Sequence, residues 1–208
     1  HYSLFCEKEK CKSTSIPSFV QPMITKLTYI KTEKQLVPQL RFAEFEGEWE
    51  PHLMKDLTTR ISDGIHSTPK YEEKGEYYFV NGNNLKNSKI EIFDNTKKVS
   101  SKENEKHKRE LNTNTILLSI NGTIGNLAFY NNEKVLLGKS ACYINLTPNV
   151  HKNLIYSLLE TAKIQNYFTS ELTGSTVKNL FLKTIKGTKL FLPTNKTEQQ
   201  KIANFLTA

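Results

Sequence analysis

The chain has 208 residues, 37% of them hydrophobic and 24% charged, with a formal net charge of +8 and a pI near 9.2. That length builds one hydrophobic core rather than two full domains, and the composition is that of a globular chain, not a disordered one. No apolar run approaches the ~20 residues of a membrane span; the odd cysteine count (Cys6, Cys11, Cys142) argues against a secreted disulfide framework.

Residues 1–36 lack sustained periodicity and read as a loosely ordered lead-in. The chain begins with His1, and Met23 fits a natural start, the residues before it then being added or upstream ones. His1–Pro22 has no apolar segment flanked by a small-residue cleavage site, so the expected location is the cytoplasm. Cys6-x4-Cys11 lacks the second ligand pair of a zinc site. Trp49, Leu53 and Leu57 fall at four-residue steps, although Trp49 fits the start of a strand equally well, and core packing accounts for it either way.

Ile61–Lys70 is turn-rich, with Asp63-Gly64 and Thr68-Pro69 as punctuation. Tyr77–Val80 is aromatic and β-branched, which predicts a strand, and Asn81-Gly82-Asn83-Asn84 then turns the chain. Lys89–Ile92 predicts another short strand. Residues 97–110 carry six Lys or Arg and three Glu, a pattern for an exposed helix capped near Ser100 or Ser101. Ile116–Ile120 and Asn126–Tyr130 around Asn121-Gly122 predict a hairpin, and Val135–Leu137 and Ala141–Leu146 two further strands, with Cys142 a small buried thiol on the last. Leu154, Ile155, Leu158, Leu159, Ala162 and Ile164 mark one long amphipathic helix between His151 and Phe168. Leu180–Ile185 and Leu190–Pro193 read as short strands. Asn195 or Thr197 then caps a final helix whose Ile202, Phe205 and Leu206 begin an apolar seam. Many short strands with helices gathered late define an α+β fold with a mixed or antiparallel sheet.

No catalytic motif survives inspection. Gly-x-Gly-x-x-Gly, Gly-x-x-x-x-Gly-Lys-Ser/Thr and His-Glu-x-x-His are absent, and Asp56, Asp63 and Asp94 lack a triad-like context. Neither the Asn-Pro-Pro-Tyr/Phe loop nor the glycine-rich methyl-donor loop of an amino-methyltransferase occurs. Gly122-Thr123-Ile124-Gly125 has the spacing of an RNA-binding Gly-x-x-Gly clamp, but it lies in a hairpin rather than between two helices. What remains are polar, glycine-supported turns between strands, together with basic residues. Lys and Arg neutralise phosphates, while Asn and Gln form bidentate pairs with adenine. The candidates for DNA contact are His66, Ser67, Thr68, Lys70, Asn83, Asn84, Lys86, Lys97, Lys98, Lys106, Arg109, Lys139, Ser175, Thr176 and Lys178. A solvated surface explains any one of these lysines, and turn geometry explains Asn81 and Asn83; the grouping is what points to DNA.

The order of these segments carries a resemblance. Pro38-x-Leu40-Arg41-Phe42-x-x-Phe45-x-Gly47-x-Trp49, Asp63-Gly64-x-His66-x-Thr68-Pro69, Phe79–Leu85, Leu117–Gly125, Thr173–Thr176 and Glu198–Leu206 resemble, in that order, segments of the specificity (S) subunit of type I restriction–modification enzymes. The resemblance implies a lead-in over 1–36, a target-recognition domain over 37–195 and the start of a spacer helix over 196–208. It implies a non-catalytic subunit that reads one half of a bipartite duplex target and binds no cofactor itself. S-adenosylmethionine, ATP and Mg would lie on the modification and restriction subunits, and Ile202, Phe205 and Leu206 would pair with a second spacer helix, allowing self-association. Here the chain stops soon after that helix begins, which fits a cut fragment or a naturally short half-subunit. Two other readings stay open: the recognition part of a fused, type IIG-like methyltransferase, and a protein-interaction module whose Lys97–Arg109 helix only confers solubility.

Overall fold

The computed structural model describes residues 38, 41–174 and 178–207, and the chain divides into two compact units, 1–49 and 50–208. In the first, Arg41 closes a turn by donating its guanidinium N–H groups to the carbonyls of Glu46 and Gly47. Among the described residues, nearly all the regular structure lies in the second unit.

Its centre is a four-stranded antiparallel sheet in the order β2 (Thr58–Asp63), β10 (Ala141–Leu146), β7 (Thr115–Ser119), β8 (Leu127–Phe129). Every residue of β7 and β10 is buried, so the sheet is covered on both faces. Successive side chains of a strand point to opposite faces, and the register keeps the two sets apart. Ile144 lies opposite Ile116 and Cys142 opposite Leu118, all on the helix-covered side, whereas Tyr143 lies opposite Leu117 on the other. Asn145 and Thr115 are buried polar neighbours in register. Thr115 Oγ1 donates to Asn145 Oδ1 at 2.7 Å and Asn145 Nδ2 donates to the Glu110 carbonyl at 2.6 Å, so their polar atoms keep partners inside the core.

The helical face is built from α2 (Lys152–Glu160), α3 (Ala162–Ser170), α4 (Leu182–Gly187) and α5 (Lys196–Thr207), with β11 (Lys189–Pro193) paired to β1 (Trp49–Leu53). Leu154, Ile155, Leu159, Phe168, Ile185, Leu190, Leu192 and Ala203 all enter the same cluster as Ile116 and Ile144. Against the other face lies a three-stranded sheet, β6 (Lys98–Val99), β3 (Tyr77–Val80), β9 (Val135–Leu137), with β3 and β9 parallel. A short hairpin, β4 (Leu85–Lys86) and β5 (Lys89–Ile90), stands beside β8. Val80, Leu85, Leu137 and Tyr143 fill this second cluster. The remaining helix, α1 (Ser101–His107), is capped by Ser100, whose hydroxyl accepts from the Glu103 N–H.

Three local expectations are corrected. The single long helix over 151–168 is two helices, because Thr161 takes an extended ψ of 142° and its hydroxyl returns a hydrogen bond to the Leu158 carbonyl at 2.7 Å. Leu180–Ile185 is not a strand. Only Leu180 pairs, its N–H donating to the Ile120 carbonyl, and the chain then enters α4, where Leu182 and Ile185, three residues apart, turn one face to the core. The turn-rich segment also begins later than expected, since β2 runs to Asp63. Trp49 is half-buried in β1, and Cys142 is fully buried, its thiol pushed up by that burial. No described helix is long and apolar enough to cross a membrane.

Candidate nucleic-acid interface

Four strands end together at one edge of this body. β2 and β7 run parallel to one another on either side of β10, and β3 runs parallel to β9. Their C-terminal ends lead into loops 63–70, 120–126, 81–84 and 138–140, and residues 173–174 and 178–179 join them through the bridge between Asn179 and Asn121.

The loops are tied to one another. Gly64 donates its N–H to the Ala141 carbonyl and Ile65 its N–H to the Leu137 carbonyl at 2.8 Å, so this segment passes from the four-stranded sheet to the end of β9. A Cβ on Gly64 would strike the Leu137 backbone, and only glycine fits that crossing. Ser140 Oγ accepts from the Gly82 N–H at 2.9 Å and donates to Asn81 Oδ1 at 3.0 Å, joining loops 81–84 and 138–140. Asn121 Nδ2 donates to the Lys139 carbonyl at 3.4 Å. Ser119 Oγ donates to the Thr123 carbonyl and accepts from the Asn126 N–H, which folds the hairpin tip over the strand end.

The expected site residues separate into three groups. His66, Ser67, Thr68, Lys70, Asn83, Lys97, Lys139 and Lys178 are exposed on or beside these loops. Among the described residues, none of Lys70, Lys97, Lys139 and Lys178 has an acidic partner within ion-pair distance. His66, 71% exposed, is pinned by an N–H donated from Nε2 to Asp63 Oδ2 at 2.7 Å. An open cleft of ≈ 210 Å³ lined by Tyr71, Phe79, Asn81, Asn83, Phe93 and Lys97, among others, lies beside the 81–84 loop.

A second group is engaged by partners within the protein, Lys86 and Lys106 while still exposed. Asn84 is only 4% exposed; its Oδ1 accepts from the Asn81 N–H at 3.0 Å and its Nδ2 donates to the Glu91 carbonyl at 2.9 Å. It holds the turn and has no side-chain surface to offer a duplex. Arg109 donates to the backbone carbonyls of Asp63, Gly64 and His107. Lys106 pairs with Glu103 at 2.8 Å, Lys98 lies over the Tyr78 ring, and Lys86 lies over the Phe93 ring in the β4–β5 hairpin. The carboxyl of Glu103 is held below the ordinary glutamate range, first by the hydrogen bond from Lys106 and then by the Lys70 backbone N–H. Ser175 and Thr176 lie outside the described residues. Of the apolar seam, Ile202 packs partly buried against the main core, while Phe205 and Leu206 are 67% and 51% exposed.

Asn121, Thr123, Ser140 and Asn179 stand in the same loop cluster and were not among the sequence candidates. The Asn121-Gly122 turn was the available signal for the first two. Nothing local marked Ser140 or Asn179, whose places follow from pairing between distant segments.

Loops gathered at one edge of a sheet sealed on both faces, with exposed lysines among them, have the arrangement of a recognition module. The chain belongs to the type I restriction modification DNA specificity domain family, whose model matches residues 46–208. Its fold is similar to that of the type I restriction–modification S subunit of M. genitalium, at 21% identity and a TM-score of 0.57 over 79% of this chain and 40% of that one. It is similar also to the HsdS subunit of Thermoanaerobacter tengcongensis, at 14% identity and a TM-score of 0.58 over 79% and 38%. A third match, from a structure describing complex assembly and conformational transition of a type I system, has 15% identity and a TM-score of 0.56 over 79% and 39%. The chain spans about two fifths of the length of each.

Proposed function

We propose that this DNA specificity domain reads one half of a bipartite duplex target through the edge formed by loops 63–70, 81–84, 120–126 and 138–140 with residues 173–174 and 178–179. The observation that carries the reading is the convergence of those loops with four exposed lysines that have no ion-pair partner among the described residues. Lys70, Lys97, Lys139 and Lys178 serve as phosphate contacts, which set position and salt dependence without sequence information. Asn83, Asn121 and the His66–Thr68 tip present the donors and acceptors that a base edge in the major groove distinguishes. Ser175 and Thr176, outside the described residues, are proposed as further contacts from the sequence alone.

In this reading the chain performs no chemistry. A modification subunit carrying S-adenosylmethionine flips an adenine out of the duplex and methylates it, and a restriction subunit uses ATP and Mg to translocate and cut. The exposed Phe205 and Leu206 on α5 supply an apolar seam for a second helix, with Ile202 fixing α5 to this body. The test is an electrophoretic shift on duplex DNA across a salt series, with and without the modification subunit. The expected result is binding that weakens steeply with salt; no binding at low salt even with the partner present overturns the reading.

A further inference from the structure

Arg109 looks from composition like one more phosphate contact in a basic run, yet its geometry is that of a brace. The segment 63–70 crosses from one sheet to the other, and in doing so it leaves the Asp63 and Gly64 carbonyls pointing away from both ladders. Arg109 takes them: Nε donates to the Asp63 carbonyl at 3.2 Å and Nη2 to the Gly64 carbonyl at 3.3 Å, while Nη1 donates to the His107 carbonyl at 3.3 Å. All three nitrogens of the half-buried guanidinium are thereby engaged with backbone. At the other end of the loop, Glu103 Oε1 accepts from the Lys70 N–H at 2.9 Å, and the Glu103 side chain is itself nearly buried and held by Lys106 and His107. Just beyond, Tyr71 bridges Val99 and the Glu72 N–H donates to the Lys98 carbonyl, which fixes the exit. Between these two anchors stand the exposed His66, Ser67 and Thr68.

We propose that Arg109 and Glu103 are positioning residues for sequence discrimination: Glu103 on α1 and Arg109 just beyond its C-terminal end hold both ends of the 63–70 loop in its reading conformation before DNA arrives. This rests on the loop edge being the DNA-reading surface. A preorganised loop binds without the ordering cost that a free one meets at the moment of contact. A planar fork can span two carbonyls; an ammonium can carry the same charge but cannot reproduce that geometry. The brace and the phosphate contact therefore predict opposite outcomes for Arg109→Lys.

The experiment uses the 208-residue chain and duplexes selected by it from a pool with randomised centres, compared with unselected pool duplexes. For the brace, Arg109→Lys and Arg109→Ala behave alike: the preference for selected over unselected duplex falls about tenfold, the order expected when a few loop side chains must be fixed on binding. The slope of log K against log salt stays unchanged. Glu103→Ala gives the same loss, whereas Glu103→Gln, which keeps the acceptor for the Lys70 N–H, retains discrimination. Hydrogen exchange on the DNA-free protein adds an independent reading, with faster exchange confined to peptides covering 63–72 in Arg109→Lys and Glu103→Ala. A phosphate contact gives the reverse, with Arg109→Lys close to wild type and a slope lowered by about 0.9 in Arg109→Ala; that outcome, or unchanged exchange over 63–72, overturns the brace. If the wild-type chain binds no duplex at all, the DNA-reading surface is what fails, and exchange over 63–72 still decides whether Arg109 and Glu103 hold the loop.

Discussion

Replacing Lys70, Lys97 and Lys139 together by Ala should flatten the salt dependence of DNA binding by an amount that counts the lost contacts. All three are exposed at the loop edge and, among the described residues, have no carboxylate within 4.0 Å of their ammonium groups, so their charge is available to a phosphate. Each phosphate neutralised contributes about −0.9 to the slope of log K against log salt on B-form DNA. Between about 50 and 200 mM salt, one such contact accounts for roughly 3.5-fold in affinity and three for about 40-fold. The wild-type chain should therefore lose about 40-fold more affinity than the triple variant over that range. The control is a second triple, Lys55, Lys189 and Lys196, which removes the same charge from the opposite end of the body. Lys55 lies in the turn that feeds the start of β2, Lys189 follows Thr188, whose carbonyl accepts from the Met54 N–H, and Lys196 reaches the Asn149 carbonyl beyond the end of β10. Fluorescence anisotropy on a labelled duplex across a salt titration gives both slopes. Equal flattening by the two triples would mean that net charge alone is being read, and the loop edge would lose its claim.

The neighbouring asparagines should split into a structural and a contacting residue. Asn84→Ala removes two buried hydrogen bonds and costs about 2–3 kcal/mol in urea unfolding, whereas Asn83→Ala stays within about 0.5 kcal/mol and weakens DNA binding instead; equal stability losses would contradict the assignment. Gly64→Ala should cost about 3 kcal/mol or more in the same assay, because its methyl group meets backbone of Leu137 rather than a side chain that can move; a wild-type midpoint would show that the crossing is looser than drawn. Glu103 is held as the carboxylate, first by Lys106 and then by the Lys70 N–H, so its folded-state value is depressed. Its stabilisation is then present above the ordinary glutamate range and lost as pH falls through the depressed value. The melting-temperature gap between wild type and Glu103→Gln should accordingly persist at neutral pH and close only below that range; a gap that closes at higher pH contradicts the pairing.

The sequence declares the parts of this fold whose causes are local. Ile116–Leu118 and Ala141–Ile144 read as buried strands because both their faces are covered, which leaves nearly uninterrupted apolar runs. Asn121-Gly122 marks its turn because Gly122 sits at φ +73°, and Ser100 marks the start of α1 because its hydroxyl meets the Glu103 N–H. The misreadings have non-local causes. Leu180–Ile185 has the apolar content of a short strand, but only Leu180 pairs, with Ile120, and the chain then coils so that Leu182 and Ile185 reach the core. The loops of the candidate site were legible in the sequence, and the contacts that tie them were not. Lys70 and Arg109 are both basic residues in the sequence; only the carbonyls of Asp63 and Gly64, more than forty residues away, distinguish the one that faces solvent from the one that faces the backbone.

That distinction bears on how such a domain changes what it reads. The four-stranded sheet is sealed on both faces by independent clusters, so its strands hold their register whatever the loop tips carry. The loops, however, are not independent appendages. Segment 63–70 depends on 103–109 at both its ends, and 81–84 depends on Ser140 on one side and on Glu91 and Thr96 on the other. A substitution at an exposed tip such as Ser67 or Asn83 alters the groups at the loop surface without disturbing a brace. A change of loop length or path must be matched across the brace, because Arg109 and Glu103 meet backbone atoms at fixed positions rather than side chains that can follow. If the loop edge reads DNA as proposed, the units of altered specificity in this body are paired segments, 63–70 with 103–109 and 81–84 with 91–96, each pair joined through hydrogen bonds to the main chain.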